Sequence, residues 1–286
     1  MMTDAPEFRV SSLWRYPVKS MAGEELETVE VTDRGLNGDR AYALVDASTH
    51  KVGSAKNVKR FGDLLKCRAE FLTPPQDGAA LPPVRITLPD GRELLSSRPD
   101  IDAQLALDFG SGIALVAGAP EGLMLEFAAG TLGGKHSATT QLPVSSGAAP
   151  GTLFNYASVH LVTRRTLRVL GLELQRFRPN IVIDGNDEAE FPENDWVGRT
   201  LAIGTDVLLR VTIPCPRCVV PTLPRTDLPL DSGILKTVAD LNTVNLGDFG
   251  DLPCVGVYAD VIRPGRIGRG DGVRVVESFQ KAVFRY

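Results

Sequence analysis

The chain has 286 residues, with 31 Lys and Arg against 35 Asp and Glu for a formal net charge of −4, and 43% hydrophobic residues. That balance excludes the broadly basic surface of a nucleic-acid binder, so any anion site must be local, while the apolar fraction suits a globular chain with a sizeable core. No stretch is long and apolar enough to span a bilayer, residues 1–9 lack the basic and apolar regions of a signal peptide, and four Cys do not make a disulfide framework, which together predict a cytoplasmic protein with free thiols.

In chain order, residues 8–14 predict a first strand and Tyr16-Pro17-Val18-Lys19-Ser20 an extended turn, because the residue before a proline avoids the helical region. Residues 26–31 alternate apolar and charged as a half-buried strand does, and Asp33-Arg34-Gly35-Leu36-Asn37-Gly38 supplies a turn before a strand at 41–45. Lys19, Ser20 and Arg40 therefore fall at strand ends, where an arbitrary Lys or Arg reads as solvated charge. The basic run 51–59, ending near Arg60, has no interleaved aromatic and also reads as a solvated loop. A hairpin is predicted at 84–88 and 93–96 around Pro89-Asp90-Gly91, then a helix at 101–109, and at 113–116 the last strand of a β-rich first domain.

Residues 117–152 are rich in Gly, Ala, Ser and Pro. This assigns 1–120 to a first domain, 121–152 to a linker or mobile loop, and 153–286 to a second domain. There a strand at 159–163 leads into a helix ending at 170, with Thr163 as N-cap and Gly171 just past its end. Ile181-Val182-Ile183 reads as a buried strand with Arg178 and Asn180 at its mouth. Glu188, Glu190, Glu193 and Asp195 read as a solvated acidic loop. A strand at 255–261, a helix at 234–241 and a glycine-rich turn at 265–272 before a strand at 273–276 complete the pattern. Gly268-Arg269-Gly270 is not a phosphate loop, because a β run rather than a helix follows it.

In the run 207–213, Val207, Leu209, Val211 and Ile213 would share one face of a strand, and Pro214 is expected to end it, since proline cannot donate to a ladder. Pro214-Cys215-Pro216-Arg217-Cys218 then delivers two thiols at a strand end. A structural zinc site needs four ligands, and Cys67, Cys254, His50, His136 and His160 sit at no usual spacing for the missing ones. Thioredoxin-like chemistry wants the first Cys at a helix N-terminus, which the preceding strand and Pro221 and Pro224 argue against. Two small buried thiols are the plain alternative. Arg217, a guanidinium between the thiols, points instead to a reactive or metal-binding thiolate beside an anionic ligand.

Cys-Pro-Arg-Cys-Val-Val-Pro-Thr at 215–222, preceded by Arg176-Phe177-Arg178-Pro179-Asn180-Ile181-Val182-Ile183, resembles the MOSC domain, named after the molybdenum cofactor sulfurase C-terminal region. Leu13-Trp14-Arg15-Tyr16-Pro17-Val18-Lys19-Ser20 and Gly35-Leu36-Asn37-Gly38-Asp39-Arg40 resemble the β-barrel domain that accompanies it in bacterial two-domain MOSC proteins and amidoxime-reducing components. The resemblance implies a mainly β fold with some α, as two β-barrel-like domains with a cofactor cleft between them. It implies a molybdenum cofactor (Mo-molybdopterin) with Cys218 as catalytic residue and metal ligand, and with Lys19, Ser20, Arg40, Ser158, Arg178, Asn180, Pro216 and Arg217 around its phosphate and pterin. Ser158 stands in Asn155-Tyr156-Ala157-Ser158, which departs from the acidic-small-Pro arrangement of the relatives. The implied reaction is reduction of N-hydroxylated small molecules. The chain has no further four-Cys cluster for iron–sulfur, so a separate electron-transfer protein is expected as partner. The alternative is a carrier of the cofactor, or of sulfur as a persulfide on Cys215 or Cys218. The cofactor-side residues of the first half favour the enzyme, because a bare sulfur carrier would not need them.

Overall fold

The structure, a computed structural model, describes residues 8–127, 140–143, 152–186 and 188–276. It is mainly β. Among the described residues no helix is long and apolar enough to cross a membrane. Seven strands close into a barrel: Ile181–Gly185 pairs with Phe8–Arg15, which pairs with Gly272–Val276, then Thr200–Ile203, Val207–Pro216 and Asp251–Arg263. Val159–Thr163 seals the ring, antiparallel to Asp251–Arg263 and parallel to Ile181–Gly185. The period of two along each strand sends Leu161, Ile181, Ile183, Leu201, Ile203, Leu209, Val211, Val257 and Val273 into one buried core.

The two halves of the chain exchange strands. Phe8–Arg15 lies in the barrel otherwise built from the second half, with Phe8 opposite Val273. Gly265–Gly268, expected as a turn, is a strand paired with Thr28–Thr32 of the first half. Two short strands also fall inside the stretch read as a linker. Met124–Phe127 and Thr140–Pro143 pair with each other and join Ile113–Ala117, Tyr42–Asp46 and Lys51–Val52 in a five-stranded sheet, so the strand at 113–117 is not the last of its half. Their Gly- and Pro-rich flanks hide strands of four residues from a composition argument. The first-half core gathers Val18, Met21, Leu44, Phe61, Ala69, Ile86, Leu105 and Phe109 under the helix Ile101–Phe109.

A parallel strand pair needs a crossover, here the helices Arg164–Leu170 and Leu174–Phe177. The first is capped as its sequence predicts, with Thr163 Oγ1 accepting from Thr166 N at 3.1 Å and Gly171 left-handed just beyond. The second ends on Arg178, itself left-handed at φ 57°, whose N–H reaches Leu174 O at 3.2 Å. That cap turns the chain into Ile181–Gly185 and sets Arg178 and Asn180 at the strand mouth.

Two further expectations are corrected. The strand before the thiols does not stop at Pro214 but runs through to Pro216. Its register slips between Val211 and Ile213 and again between Pro214 and Pro216, and its ladder with Thr200–Ile203 ends at Arg210, so the proline sits on a bulged edge where a missing N–H costs little. The slip also leaves Ile213 half-buried while Val207, Leu209 and Val211 are buried. Glu193, read as part of a solvated acidic loop, is only 1% exposed. It accepts from the hydroxyls of Thr163 at 2.7 Å and Thr166 at 2.8 Å and from Thr163 N at 3.4 Å, and burial raises its carboxyl above the ordinary range.

Candidate functional site

Residues from both halves meet around Asp39. One of its oxygens accepts from Tyr16 N at 2.8 Å; the other accepts from Asn180 Nδ2 at 2.9 Å and from Arg40. Asn180, 1% exposed, also takes His160 N at 3.1 Å on its carbonyl oxygen and gives its amide to Trp14 O at 3.3 Å. With both ends of its amide occupied, Asn180 braces Asp39 and Arg40 within the protein. The Tyr16 ring carries a guanidinium at 4.7 Å from Arg40 and another at 4.2 Å from Arg178, and its hydroxyl donates to Pro179 O at 3.0 Å. Arg178 also donates to Met21 O. Burial, then the Arg40 charge, pulls Arg178 down to about 9.

Lys19 is 4% exposed and donates to two neutral oxygens, Leu153 O and, at 2.7 Å, Asn155 Oδ1. Burial holds it well below the ordinary lysine range, and the charges of Lys56, Arg40 and Arg178 add to that. Ser20 Oγ accepts from Ala55 N at 3.0 Å, tying the Lys19-Ser20 turn to the basic segment that sequence reading left in solvent. Ala55 is buried with Leu65 and Leu223 against Val219 and Val220, the residues that follow Cys218. Lys56 thereby stands near the thiol loop: burial and Arg217 lower its pKa, and Cys218 and Cys215 oppose them.

Of the two thiols, Cys215 is buried and Cys218 half-buried. Arg217 donates to Cys215 Sγ at 2.8 Å and to Phe177 O at 3.1 Å, and the Tyr258 hydroxyl bonds the same sulfur. Arg217 Nε is buried with no partner. Cys67 and Cys254 are buried, and burial pushes each thiol up to about 12, which marks them as packing groups. Among the described residues no three His, Cys, Asp or Glu gather into a metal cage. His160 Nε2 lies 3.0 Å from Val255 O, and burial, then Arg217, pulls the ring down to about 3, so it is neutral at ordinary pH.

The structure joins Arg40 and Asn180 through Asp39 and sets Arg40 and Arg178 on the Tyr16 ring, while Lys19, within electrostatic reach of both arginines, is held by Leu153 O and Asn155 Oδ1. Pro216 is exposed and ends the strand opposite Cys254. Ser158 packs on the Gly35 turn instead: a Cβ at Gly35, whose φ is +107°, would lie 2.7 Å from Ser158 O. From that segment it is Asn155 that reaches the cationic network. Sequence reading missed Asn155, Lys56 and Arg225. Arg225 caps the Leu174–Phe177 helix through Arg176 O at 2.7 Å and Gln175 O at 3.1 Å, yet leaves one guanidinium nitrogen buried and unpartnered. One signal of function is conformational: four described non-glycine residues have positive φ, and three of them, Ser20 at 69°, Arg40 at 48° and Arg178 at 57°, belong to the candidate set. Strained backbone of this kind collects where a side chain must be aimed.

The chain matches the MOSC domain over residues 142–274 and the MOSC N-terminal beta barrel domain over residues 7–102, and it belongs to the MOSC family. It is 26% identical over 294 residues to mitochondrial amidoxime reducing component 2 of Rattus norvegicus, covering 92% of this chain and 82% of that protein. Among solved structures it resembles the YUAD protein from Bacillus subtilis at 12% identity and a TM-score of 0.41, over 96% of this chain and 97% of the other. It also resembles YiiM from Geobacillus stearothermophilus at 20% identity and a TM-score of 0.29, over 42% and 55%.

Proposed function

We propose that this protein is a molybdenum-cofactor-binding oxidoreductase that reduces N-hydroxylated compounds, with Cys218 as the metal's protein ligand. The observation that carries this reading is a charge imbalance. Lys19, Arg40 and Arg178 crowd together with Asp39 the carboxylate in their midst, and Lys56 extends the positive field to Arg217 and the thiols. Cations that depress one another in a buried place call for an anion, and two buried guanidinium nitrogens, on Arg217 and Arg225, lack partners. The phosphate monoester of a pterin fits that demand, and guanidinium forks suit its oxygens.

Lys19, Arg40 and Arg178 would hold the phosphate, Arg217 the anionic surroundings of the metal, and Cys218 the metal itself. When bound, the cofactor supplies a redox metal for which thiolate is the soft protein ligand and whose remaining positions serve oxygen-atom transfer. The protein's own residues prepare that place: Tyr16 fixes the planes of Arg40 and Arg178, Asn180 braces Arg40 through Asp39, and Arg217 pins the buried Cys215 so that Cys218 is left as the available thiol. Overall, an N-hydroxylated substrate would take up two electrons and two protons, its N–O bond would break and water would leave. A separate electron-transfer protein would supply the electrons, in the cytoplasm. The test is metal analysis together with fluorescence of oxidised pterin on protein from a molybdenum-replete host, followed by reduction of an amidoxime with a chemical electron donor. Protein free of both molybdenum and pterin would overturn the reading, and cyanide-releasable sulfur on Cys215 or Cys218 would turn it toward a carrier.

A further inference from the structure

We infer that Arg176 is the positioning residue of the thiol loop: its guanidinium clasps the neck of the loop that follows Cys218 and so sets where that thiol stands. The inference rests on the proposed function only for what Cys218 does; the clasp itself involves no cofactor.

The first support is where the guanidinium lands. After Cys218 the chain runs out and back, and Asp231 N closes the excursion on Thr222 O at 2.9 Å. Arg176 sits across this neck. Its Nη1 donates to Pro221 O at 3.2 Å on the outgoing side, its Nη2 to Pro229 O at 3.1 Å on the returning side, and its Nε to Glu173 at 2.8 Å. Every nitrogen has an acceptor, and the residue is only 2% exposed. A buried guanidinium spent in this way has no donor to offer a ligand, so its work is to hold the loop. The second support is what else hangs on the same turn of helix. Arg217, the neighbour of Cys218, donates to Phe177 O at 3.1 Å. From farther along the loop Arg225 returns to Arg176 O at 2.7 Å and to Gln175 O at 3.1 Å. The Leu174–Phe177 helix is thus the seat of the loop, and it is itself fixed, since Phe177 is buried in one core cluster with Val162, Val182 and Val255. The third is how the remaining anchorage divides. Thr226 Oγ1 donates to Lys66 O at 2.7 Å, and Leu223 is buried with Ala55 and Leu65, so the first half of the chain holds the middle of the loop and leaves its neck to Arg176.

The experiment follows, on the full chain prepared without molybdenum, the rate at which N-ethylmaleimide modifies each thiol, resolved by mass spectrometry of the peptides. In the parent Cys218 should react first, being half-buried where Cys67, Cys215 and Cys254 are buried. Arg176→Met should raise the Cys218 rate about tenfold by freeing the neck to open locally. Arg176→Lys keeps the charge but cannot reach both carbonyls, and should raise it nearly as much, so the comparison stands on either variant. Arg168→Met, on the exposed face of the preceding helix, should match the parent. Cys67 and Cys254 should stay unreactive throughout, a selectivity that a general loosening of the fold would not give. A Cys218 rate unchanged in the Arg176 variants, or Cys67 and Cys254 reacting in step with Cys218, would overturn the assignment. Failure of the cofactor reading shows separately, as protein from a molybdenum-replete host that carries neither metal nor pterin while the Cys218 rate still depends on Arg176.

Discussion

Two of the buried charged centres among the described residues, at Glu193 and around Asp39, differ in how their charge is met. At Glu193 the carboxylate is met by two threonine hydroxyls and a backbone N–H, all supplied by the cap of the Arg164–Leu170 helix, and nothing is left over. Around Lys19, Arg40 and Arg178 the hydrogen bonds are made, with Asp39 the carboxylate bonded among them. A satisfied buried charge is part of the fold; an unsatisfied one is a vacancy for a ligand. The difference teaches that burial alone does not mark a functional site, whereas burial with charge left unmatched does.

The sharpest way to break the comparison is at the thiol. Cys218→Ser should lose molybdenum outright, because a hydroxyl is a poor ligand for a soft metal, while Cys215→Ser should keep it; metal content of the two purified variants decides, and equal loss would point to a dithiol or persulfide instead. Next in size, Glu193→Ala should cost about 3 kcal/mol in denaturant unfolding by stripping Thr163 and Thr166 of their partner, with molybdenum per folded molecule unchanged. Loss of metal in that variant would mean the two centres are coupled. Arg178→Lys keeps the charge but not the fork and should weaken cofactor retention by about 1 to 3 kcal/mol, read as molybdenum remaining after dialysis at low and high salt, while Arg60→Lys should retain it in full.

The smallest effect is in pH. Arg178, lowered to about 9 from 12.5, and Lys19, lowered from 10.5, bind fewer protons folded than unfolded, so ligand-free protein should gain stability as pH rises above about 9. Glu193 has the opposite sign. Its raised carboxyl keeps a proton that the unfolded chain gives up near 4.5, so its contribution is whole below that value and is lost as pH rises from there through the higher folded one. Unfolding measured across pH should show both slopes, with Lys19→Met flattening the alkaline one and Glu193→Gln the acid one.

How much of this was legible in the sequence depended on the range of the forces involved. The helices Ile101–Phe109, Arg164–Leu170 and Ile234–Leu241 follow from local spacing and caps and fall where that spacing puts them. Lys19, Arg40 and Arg178 were singled out through motifs, and the structure brings them together. Glu193 was misread because a charged residue in a polar run has no local mark of burial; only the packing of the Pro192–Trp196 turn against Thr163 decides it. Gly265–Gly268 was missed for a related reason, since its pairing partner Thr28–Thr32 lies at the far end of the chain.

The pairing of Phe8 with Val273 also sets an order of events. During synthesis the first strand leaves the ribosome long before the strand it must lie beside, and contacts so distant along the chain form slowly. The barrel stays open at that seam until Gly272–Val276 has emerged. The proposed ligand place shared by Lys19 and the loop of Cys218 is likewise incomplete until residue 218 has been made. Until then the edge at Phe8 and Arg9 that meets Val273 and Gly272 is open, and an open strand edge can pair with another chain.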